Sequence, residues 1–99
     1  MNYYVYLLRC EDDSLYAGIT TDPDRRLREH RSGVGSGGAK YTSAHRPTSF
    51  AALWETADRA AASRLEYRLK KLSHGQKEAL IRGEDPLPAG TEDAVRIPV

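Results

Sequence analysis

The stretch that decides the fold runs from Tyr4 to Gly18. It begins with Tyr4-Val5-Tyr6 and, after nine intervening residues, ends with Tyr16-Ala17-Gly18. Aromatic and β-branched residues surround both tripeptides, as is typical of strands, and residues 11 to 14 between them have the composition of a turn. The two segments therefore predict an antiparallel hairpin with Tyr6 and Tyr16 on neighbouring strands. Gly18 is a weak strand residue, so we expect another group to approach the backbone closely there.

The rest of the chain supplies one more strand and three helices around this hairpin. Residues 3 to 9 place apolar side chains on both faces, which indicates a central strand covered from both sides. Asp22-Pro23 predicts the start of a helix, and residues 48 to 55 are predicted to form a third strand. An apolar stripe through Ala61, Leu65 and Leu69 predicts a helix over residues 58 to 72. A short helix is expected over residues 76 to 81. The prediction is an α+β fold with a small three-stranded antiparallel sheet flanked by helices, in the order β-β-α-β-α-α.

The composition indicates one small globular protein. The chain has 99 residues, of which 39% are hydrophobic and 29% are charged, and no apolar run approaches the ~20 residues that span a bilayer. The first residues lack the basic and apolar regions of a secretory leader, so we expect a cytoplasmic monomer without membrane attachment. Cys10 is the single cysteine, which excludes an internal disulfide and a cysteine-based zinc site.

The charge is distributed unevenly along the chain. Residues 1–83 contain 14 basic and 10 acidic side chains, whereas residues 84–99 contain one basic and four acidic ones. The first part is mildly basic, which permits an anionic partner. The second part is rich in proline, glycine and acid without periodicity. We therefore divide the chain into a folded domain, 1–83, and a poorly ordered acidic tail, 84–99, which is expected to cover the basic face when no partner is bound.

Two predicted helices carry polar residues that suit phosphodiester chemistry. Arg26 and His30 are four positions apart, so they share one face of the helix that begins at Pro23. Glu66 lies about 80° from the centre of the apolar stripe of the next helix, and therefore on the flank of the core. A cation, an imidazole and a carboxylate near two tyrosines can bind a phosphate and activate a water molecule.

The sequence resembles the GIY-YIG nuclease superfamily. The resemblance rests on the order and spacing of the two tripeptides, Arg26, His30 and Glu66. Residues 1 to 83 look like its small single-domain bacterial subgroup. The first tripeptide departs from the family by opening with Tyr4 instead of glycine, which changes the packing and leaves the key tyrosine in place. The resemblance implies the family's fold and a metal-dependent endonuclease that hydrolyses phosphodiester bonds in DNA, in DNA repair or processing.

The resemblance also implies a role for each of the five residues. Tyr16 is expected to act as general base or to orient the attacking water, and Tyr6 to hydrogen-bond that water or the phosphate. Arg26 would grip the scissile phosphate, and His30 would donate to it or assist the leaving group. Glu66 would be the single protein ligand of the metal, which suits Mg²⁺ or Mn²⁺ with mostly water ligands.

Each of these residues also has an ordinary structural interpretation. Glu66 could pair with Lys70, one helical turn later, on a solvated face. The two tyrosines could form a cross-strand aromatic pair at the edge of the core. Arg26 could belong to a solvated helix face, and a single histidine on a helix is often inert. The residue types alone leave both interpretations open, and the family resemblance favours the catalytic one.

A second set of residues is expected to contact nucleic acid outside the catalytic set. Basic side chains would contact backbone phosphates, and one aromatic ring would offer a stacking platform. The set comprises Lys40, Tyr41, Arg46, Lys70 and Lys71. Nothing in the sequence predicts base-specific recognition, so DNA would be recognised by its shape, with RNA as the alternative substrate. The rival function is a nucleic-acid-binding module on the same fold, inactive without a partner protein that supplies specificity.

Overall fold

The computed structural model describes residues 2–32 and 47–99, except for the side chains of residues 30–32, 47 and 48. The elements of these residues are β1 (Tyr3–Cys10), β2 (Leu15–Thr20), α1 (Pro23–Ser32), β3 (Pro47–Thr56), α2 (Arg59–Lys71), α3 (His74–Ile81) and β4 (Val95–Arg96). The α+β class and the predicted order of the first six elements are confirmed.

The strands form one antiparallel sheet in the order β2-β1-β3-β4, with β2 and β4 at its edges. The predicted number of three strands was therefore one too low. The additional strand, β4, has only two residues, and such a short strand leaves no periodic pattern in the sequence. It forms because the outer edge of β3 offers backbone groups to pair with: Trp54 stands opposite Arg96, and the Ile97 amide donates to the Leu53 carbonyl at 2.8 Å.

The last sixteen residues, predicted to be poorly ordered, contain this strand and contact both cores of the domain. Thr91 is buried, Ile97 packs beside Tyr4 and Phe50, and the Arg96 guanidinium lies 5.3 Å from the centre of the Trp54 ring. A few apolar contacts thus place a segment whose average composition is polar, and its predicted poor order stays a prediction. The division of the chain at residue 83 stays a prediction.

The central strand β1 separates two hydrophobic cores. On one face, α2 and α3 cover Val5, Leu7 and Trp54. On the other face, Tyr6 and Leu8 belong to a smaller cluster that includes Leu27 of α1. The predicted two-sided cover of the first strand is thus confirmed, and α1 and α2 lie on opposite faces of the sheet.

Local sequence signals account for the helix starts. The Asp22 carboxylate accepts from the Arg25 amide at 3.1 Å before α1, and the Asp58 carboxylate accepts from the Ala61 amide at 2.8 Å at the start of α2. Ser73 and Gln76 form a reciprocal capping box at α3. None of the helices in residues 2–32 and 47–99 has the length and apolar character needed to cross a membrane.

Candidate active site

The phenol of Tyr6 lies directly across the backbone of Gly18. The two residues stand opposite each other in the β1–β2 register. A Cβ atom built on Gly18 would lie 2.3 Å from the Tyr6 hydroxyl oxygen and 2.4 Å from Cζ, far inside van der Waals contact. Phe50 lies beside the same ring, with 5.4 Å between the ring centroids. Glycine at position 18 therefore creates the space that the Tyr6 ring occupies, as the sequence predicted.

Four charged or ionisable side chains affect the pKa of the Tyr6 hydroxyl. Burial raises the pKa of this phenol well above its usual value of 10.0 and is the largest effect. The positive charge of Arg26 opposes that rise, whereas Tyr16, Glu66 and Glu29 add to it. Three of the other predicted catalytic residues thus act electrostatically on one hydroxyl group. Tyr6 keeps its proton at neutral pH and acts there as a hydrogen-bond donor.

Helix α1 brings Arg26 to the face of the sheet that carries the tyrosines. Tyr16 stands opposite Leu8 in the β1–β2 register and is half-buried in the same cluster as Tyr6. The Arg26 guanidinium is 24% exposed and lies 3.6 Å from the Glu29 carboxylate, one turn along the helix. Arg26 is thus held near Tyr6 by a partly exposed ion pair, which an anionic ligand can displace because such pairs are weak.

Glu66 reaches the same sheet edge from the opposite face. It lines a cleft of about 360 Å³ between β2 and α2, together with Thr20, Thr21, Arg59 and Ser63. Its carboxylate is 25% exposed and lies 3.6 Å from the Lys70 ammonium. The ordinary helix pair considered for Glu66 is therefore present, yet half-exposed pairs of this kind contribute little stability. Because β2 is an edge strand, the charge of Glu66 acts across this edge and raises the pKa of the Tyr6 hydroxyl on the other face.

The donor groups beside Glu66 fit a hard divalent cation. The Glu66 carboxylate lies in a cleft large enough for several water molecules, and Thr21 and Ser63 also line this cleft. Mg²⁺ and Mn²⁺ prefer oxygen ligands, and Mg²⁺ keeps most of its waters in protein sites. Glu66 is the residue that would hold the ion.

A cluster of potential metal ligands elsewhere in the described residues is better explained without a metal. The side-chain ligand atoms of Asp13, His74 and Glu78 lie within 4.8 Å of one another. However, Arg9 donates to Asp13 at 2.6 Å and to both oxygens of Glu78 at 2.8 Å. A permanently charged guanidinium already pairs with both carboxylates, and His74 lies 3.0 Å from Glu78, so we interpret the cluster as an ion-pair network.

The remaining predicted residues fall into two groups. Lys40, Tyr41, Arg46 and the side chain of His30 lie outside the described residues; the backbone of His30 lies in α1, one turn after Arg26. Lys70 and Lys71 are exposed at the end of α2, on the helix that carries Glu66.

Sequence reasoning missed two residues that belong to this site. Glu29 pairs with Arg26 and affects the pKa of Tyr6, and Arg59 lines the cleft beside Glu66. Their positions contained the signal: Glu29 follows Arg26 by three residues, and Arg59 precedes Glu66 by seven, both spacings that place side chains on one helix face.

Comparison with known proteins agrees with this geometry. Residues 2–79 match the model of the GIY-YIG catalytic domain. The chain is 47% identical over 81 residues to UPF0213 protein BH0048 of Halalkalibacterium halodurans, covering 82% of this chain and 83% of that protein. It is 40% identical over 87 residues to UPF0213 protein YhbQ of Salmonella typhimurium, covering 88% of this chain and 84% of that protein.

Two solved structures share the fold. The solution NMR structure of UPF0213 protein BH0048 from Bacillus halodurans superposes with a TM-score of 0.54 at 40% identity and covers 93% of this chain and 92% of that one. The solution NMR structure of protein EF2693 from E. faecalis gives a TM-score of 0.57 at 34% identity. The match covers 84% of this chain and 85% of that one. The chain belongs to the GIY-YIG catalytic domain family, a family of nucleases.

Proposed function

We propose that the protein is a divalent-metal-dependent endonuclease that hydrolyses phosphodiester bonds in DNA, in DNA repair or processing. One observation carries the proposal: Tyr16 of β2 and Leu27 of α1 pack against the cluster that contains Tyr6, and the charges of Arg26 and Glu66 both affect the pKa of the Tyr6 hydroxyl. The proposal includes a monomer in the cytoplasm, where the single, buried Cys10 would stay reduced.

The two tyrosines have different roles in this mechanism. Because the pKa of Tyr6 is raised, its hydroxyl donates a hydrogen bond to a phosphate oxygen or to the attacking water. Tyr16 is only half-buried, so its hydroxyl can lose its proton to solvent, and the resulting phenolate then accepts a proton from the attacking water. The cation of Arg26 nearby lowers the cost of developing negative charge on a phenol.

Arg26 holds the scissile phosphate by exchanging its ion pair with the Glu29 carboxylate for one with the phosphate. Phosphate oxygens replace the Glu29 carboxylate and accept two parallel N–H bonds from the planar guanidinium. His30, one turn further along α1, donates a proton toward the leaving oxygen. A divalent cation bound by Glu66 would supply positive charge to the phosphoryl oxygens.

A nucleic-acid-binding module without turnover is the second candidate. It is favoured by the two internal ion pairs of the site, Glu66 with Lys70 and Arg26 with Glu29, which neutralise both charged groups before any substrate binds. In that case a partner protein would have to open the pairs and supply specificity.

Cleavage assays separate the two candidates. Labelled single-stranded, duplex, flap and junction DNAs, and a matched RNA, are incubated with Mg²⁺, Mn²⁺ or EDTA. We expect products only with a metal. Glu66→Gln and Tyr16→Phe should lower the rate by about 10²-fold or more, whereas Glu84→Gln, which changes an exposed carboxylate beside Arg82, should cleave like the wild type. Retained binding without products on any substrate would favour the binding module.

A further inference from the structure

The outer face of α2 is the most basic surface of a single element in the described chain. The helix carries five basic side chains and one acidic side chain, which gives it a net charge of +4. The basic residues, all exposed, are Arg59, Arg64, Arg68, Lys70 and Lys71. Ala61, Ala62, Leu65 and Leu69 on the inner face pack against the sheet. The charges therefore face away from the core.

Tyr67 stands in the middle of these charges with no packing role. It is 60% exposed and is the one exposed aromatic side chain among residues 2–32 and 47–99. Its ring, with Ser63, Arg64 and Arg68, lines a shallow depression of about 360 Å³. The Lys71 ammonium lies 5.1 Å from the ring centroid. An aromatic ring surrounded by cations and left in solvent is the arrangement that stacks on a nucleobase.

This depression adjoins the cleft that contains Glu66. Ser63 lines both of them, because it lies three residues before Glu66 and four before Tyr67 on the helix. A nucleic-acid strand with a phosphate at Glu66 would meet Ser63 next and then Tyr67. The outer face of α2 is thus a direct continuation of the candidate active site.

We propose that the outer face of α2 binds the nucleic acid beside the scissile phosphate. Tyr67 stacks on an accessible nucleobase, and Arg64 and Arg68 hold phosphates on either side of it. The inference rests on the nucleic-acid substrate of the proposed function and adds the residues that hold the strand. Charge complementarity selects the occupant: a net charge of +4 favours a polyanion, and the exposed ring favours a flat partner on which it can stack.

The test measures binding without turnover. A fluorescent single-stranded oligonucleotide of about 12 nucleotides and a strand of the same length made entirely of abasic sites are titrated in EDTA, with anisotropy as the readout. The two strands carry equal phosphate charge and differ in their bases. The variants are Tyr67→Ala, Tyr67→Phe, Arg64→Ala and Arg68→Ala. Arg82→Ala removes an exposed guanidinium outside α2 and serves as the charge control.

The expected pattern separates stacking from charge. Tyr67→Ala weakens binding to the base-containing strand at least about fivefold and to the abasic strand less than about twofold. Tyr67→Phe, which keeps the ring, binds both like the wild type. Arg64→Ala and Arg68→Ala weaken binding to both strands, and each lowers the slope of log K against log salt by about 0.7. Arg82→Ala leaves both affinities within about twofold of the wild type.

Two results would overturn the inference. One is an equal effect of Tyr67→Ala on both strands, or no effect, at an unchanged Tm. The other is wild-type binding that does not depend on salt, because the proposed phosphate contacts would release counterions. Cleavage with Mg²⁺ by the same preparation tests the nuclease separately. Base-dependent binding without cleavage would support the α2 surface and reject the enzyme. Cleavage without base-dependent binding would reject only the α2 surface.

Discussion

Tyr6 is at once a core residue and the centre of the candidate site. Only 2% of it is exposed, and its ring packs between Phe50 and the backbone of Gly18. The packing that buries the ring also raises the pKa of its hydroxyl. The position of the Tyr6 hydroxyl therefore depends on the absence of a side chain at Gly18, although Gly18 itself takes no part in the chemistry.

Replacing Gly18 tests this dependence. In Gly18→Ala the new methyl group must displace the Tyr6 ring, because the clash is with the ring itself and β1 is fixed between two strands. We expect a rate of DNA cleavage lower by about 10²-fold and a loss of stability of about 1–3 kcal/mol. Cleavage kinetics and thermal unfolding measure the two effects.

Gly75 provides the matched control for this substitution. A Cβ atom there meets nothing within 4 Å, and the residue lies in the first turn of α3. Gly75→Ala should raise stability by about 0.5–1 kcal/mol and leave cleavage unchanged. Equal activity of the two variants would contradict the role given to Gly18.

At the scale of elements, an ion-pair network joins α3 to the hairpin. Glu78 of α3 accepts two hydrogen bonds from Arg9 of β1, and Arg9 also donates to Asp13 in the β1–β2 turn. The Arg9 guanidinium lowers the pKa of the Glu78 carboxyl from 4.5 to about 2. Because α3 is short and buries mainly Leu80, this network is an important attachment of the helix to the sheet.

The network gives stability a defined pH dependence. A lowered pKa in the folded state means that the ionised Glu78 contributes fully above pH ~4.5 and that its contribution is lost as the pH falls toward 2. Glu78→Gln should lower the Tm at pH 7 by about 4–8 °C, as ~1 kcal/mol does in a domain of this size. Unfolding scans should show this difference shrinking between pH 4.5 and 2. A difference that stays constant over this range would contradict the assignment.

At the scale of the whole molecule, the short strand β4 of the acidic segment and the candidate site lie at opposite edges of the sheet. The segment pairs with β3 through β4, whereas the tyrosines and Glu66 meet at β2. Three strand spacings of ~4.8 Å separate these edges by about 14 Å. This exceeds the Debye length of ~8 Å at physiological salt. The part of the segment held at β4 is therefore poorly positioned to cover the tyrosines and Glu66, contrary to our expectation from charge.

Two variants separate the packing of this segment from its charge. Neutralising its four acids as Gln and Asn should change DNA affinity at 0.15 M salt less than about twofold. Deleting residues 84–99 should lower the Tm by at least 4–8 °C, because Trp54 and Leu53 lose contacts with the segment. Anisotropy and thermal unfolding give the two readouts. A large gain in affinity on neutralisation would restore the covering role.

Much of the fold followed from local patterns in the sequence. The β-branched and aromatic runs predicted three strands, the apolar stripe predicted α2, and Asp22-Pro23 predicted the start of α1. These signals are readable because side-chain periodicity and capping act over a few residues. The spacing of the two tripeptides with Arg26 and Glu66 was sufficient to indicate the family.

The tertiary structure decided what depends on contacts between distant residues. The pairing of Trp54 with Arg96 and the packing of the Tyr6 ring on Gly18 each join separate segments of the chain. The same holds for the effect of Arg26 and Glu66 on the Tyr6 hydroxyl. Tyr67 shows the same limit, since a tyrosine on a helix is equally compatible with core and surface. The sequence determined which residues and local elements are available, because these depend on side chains a few positions apart. Only the packed chain decided which of them meet at one edge, because burial and long-range pairing are properties of the whole sheet.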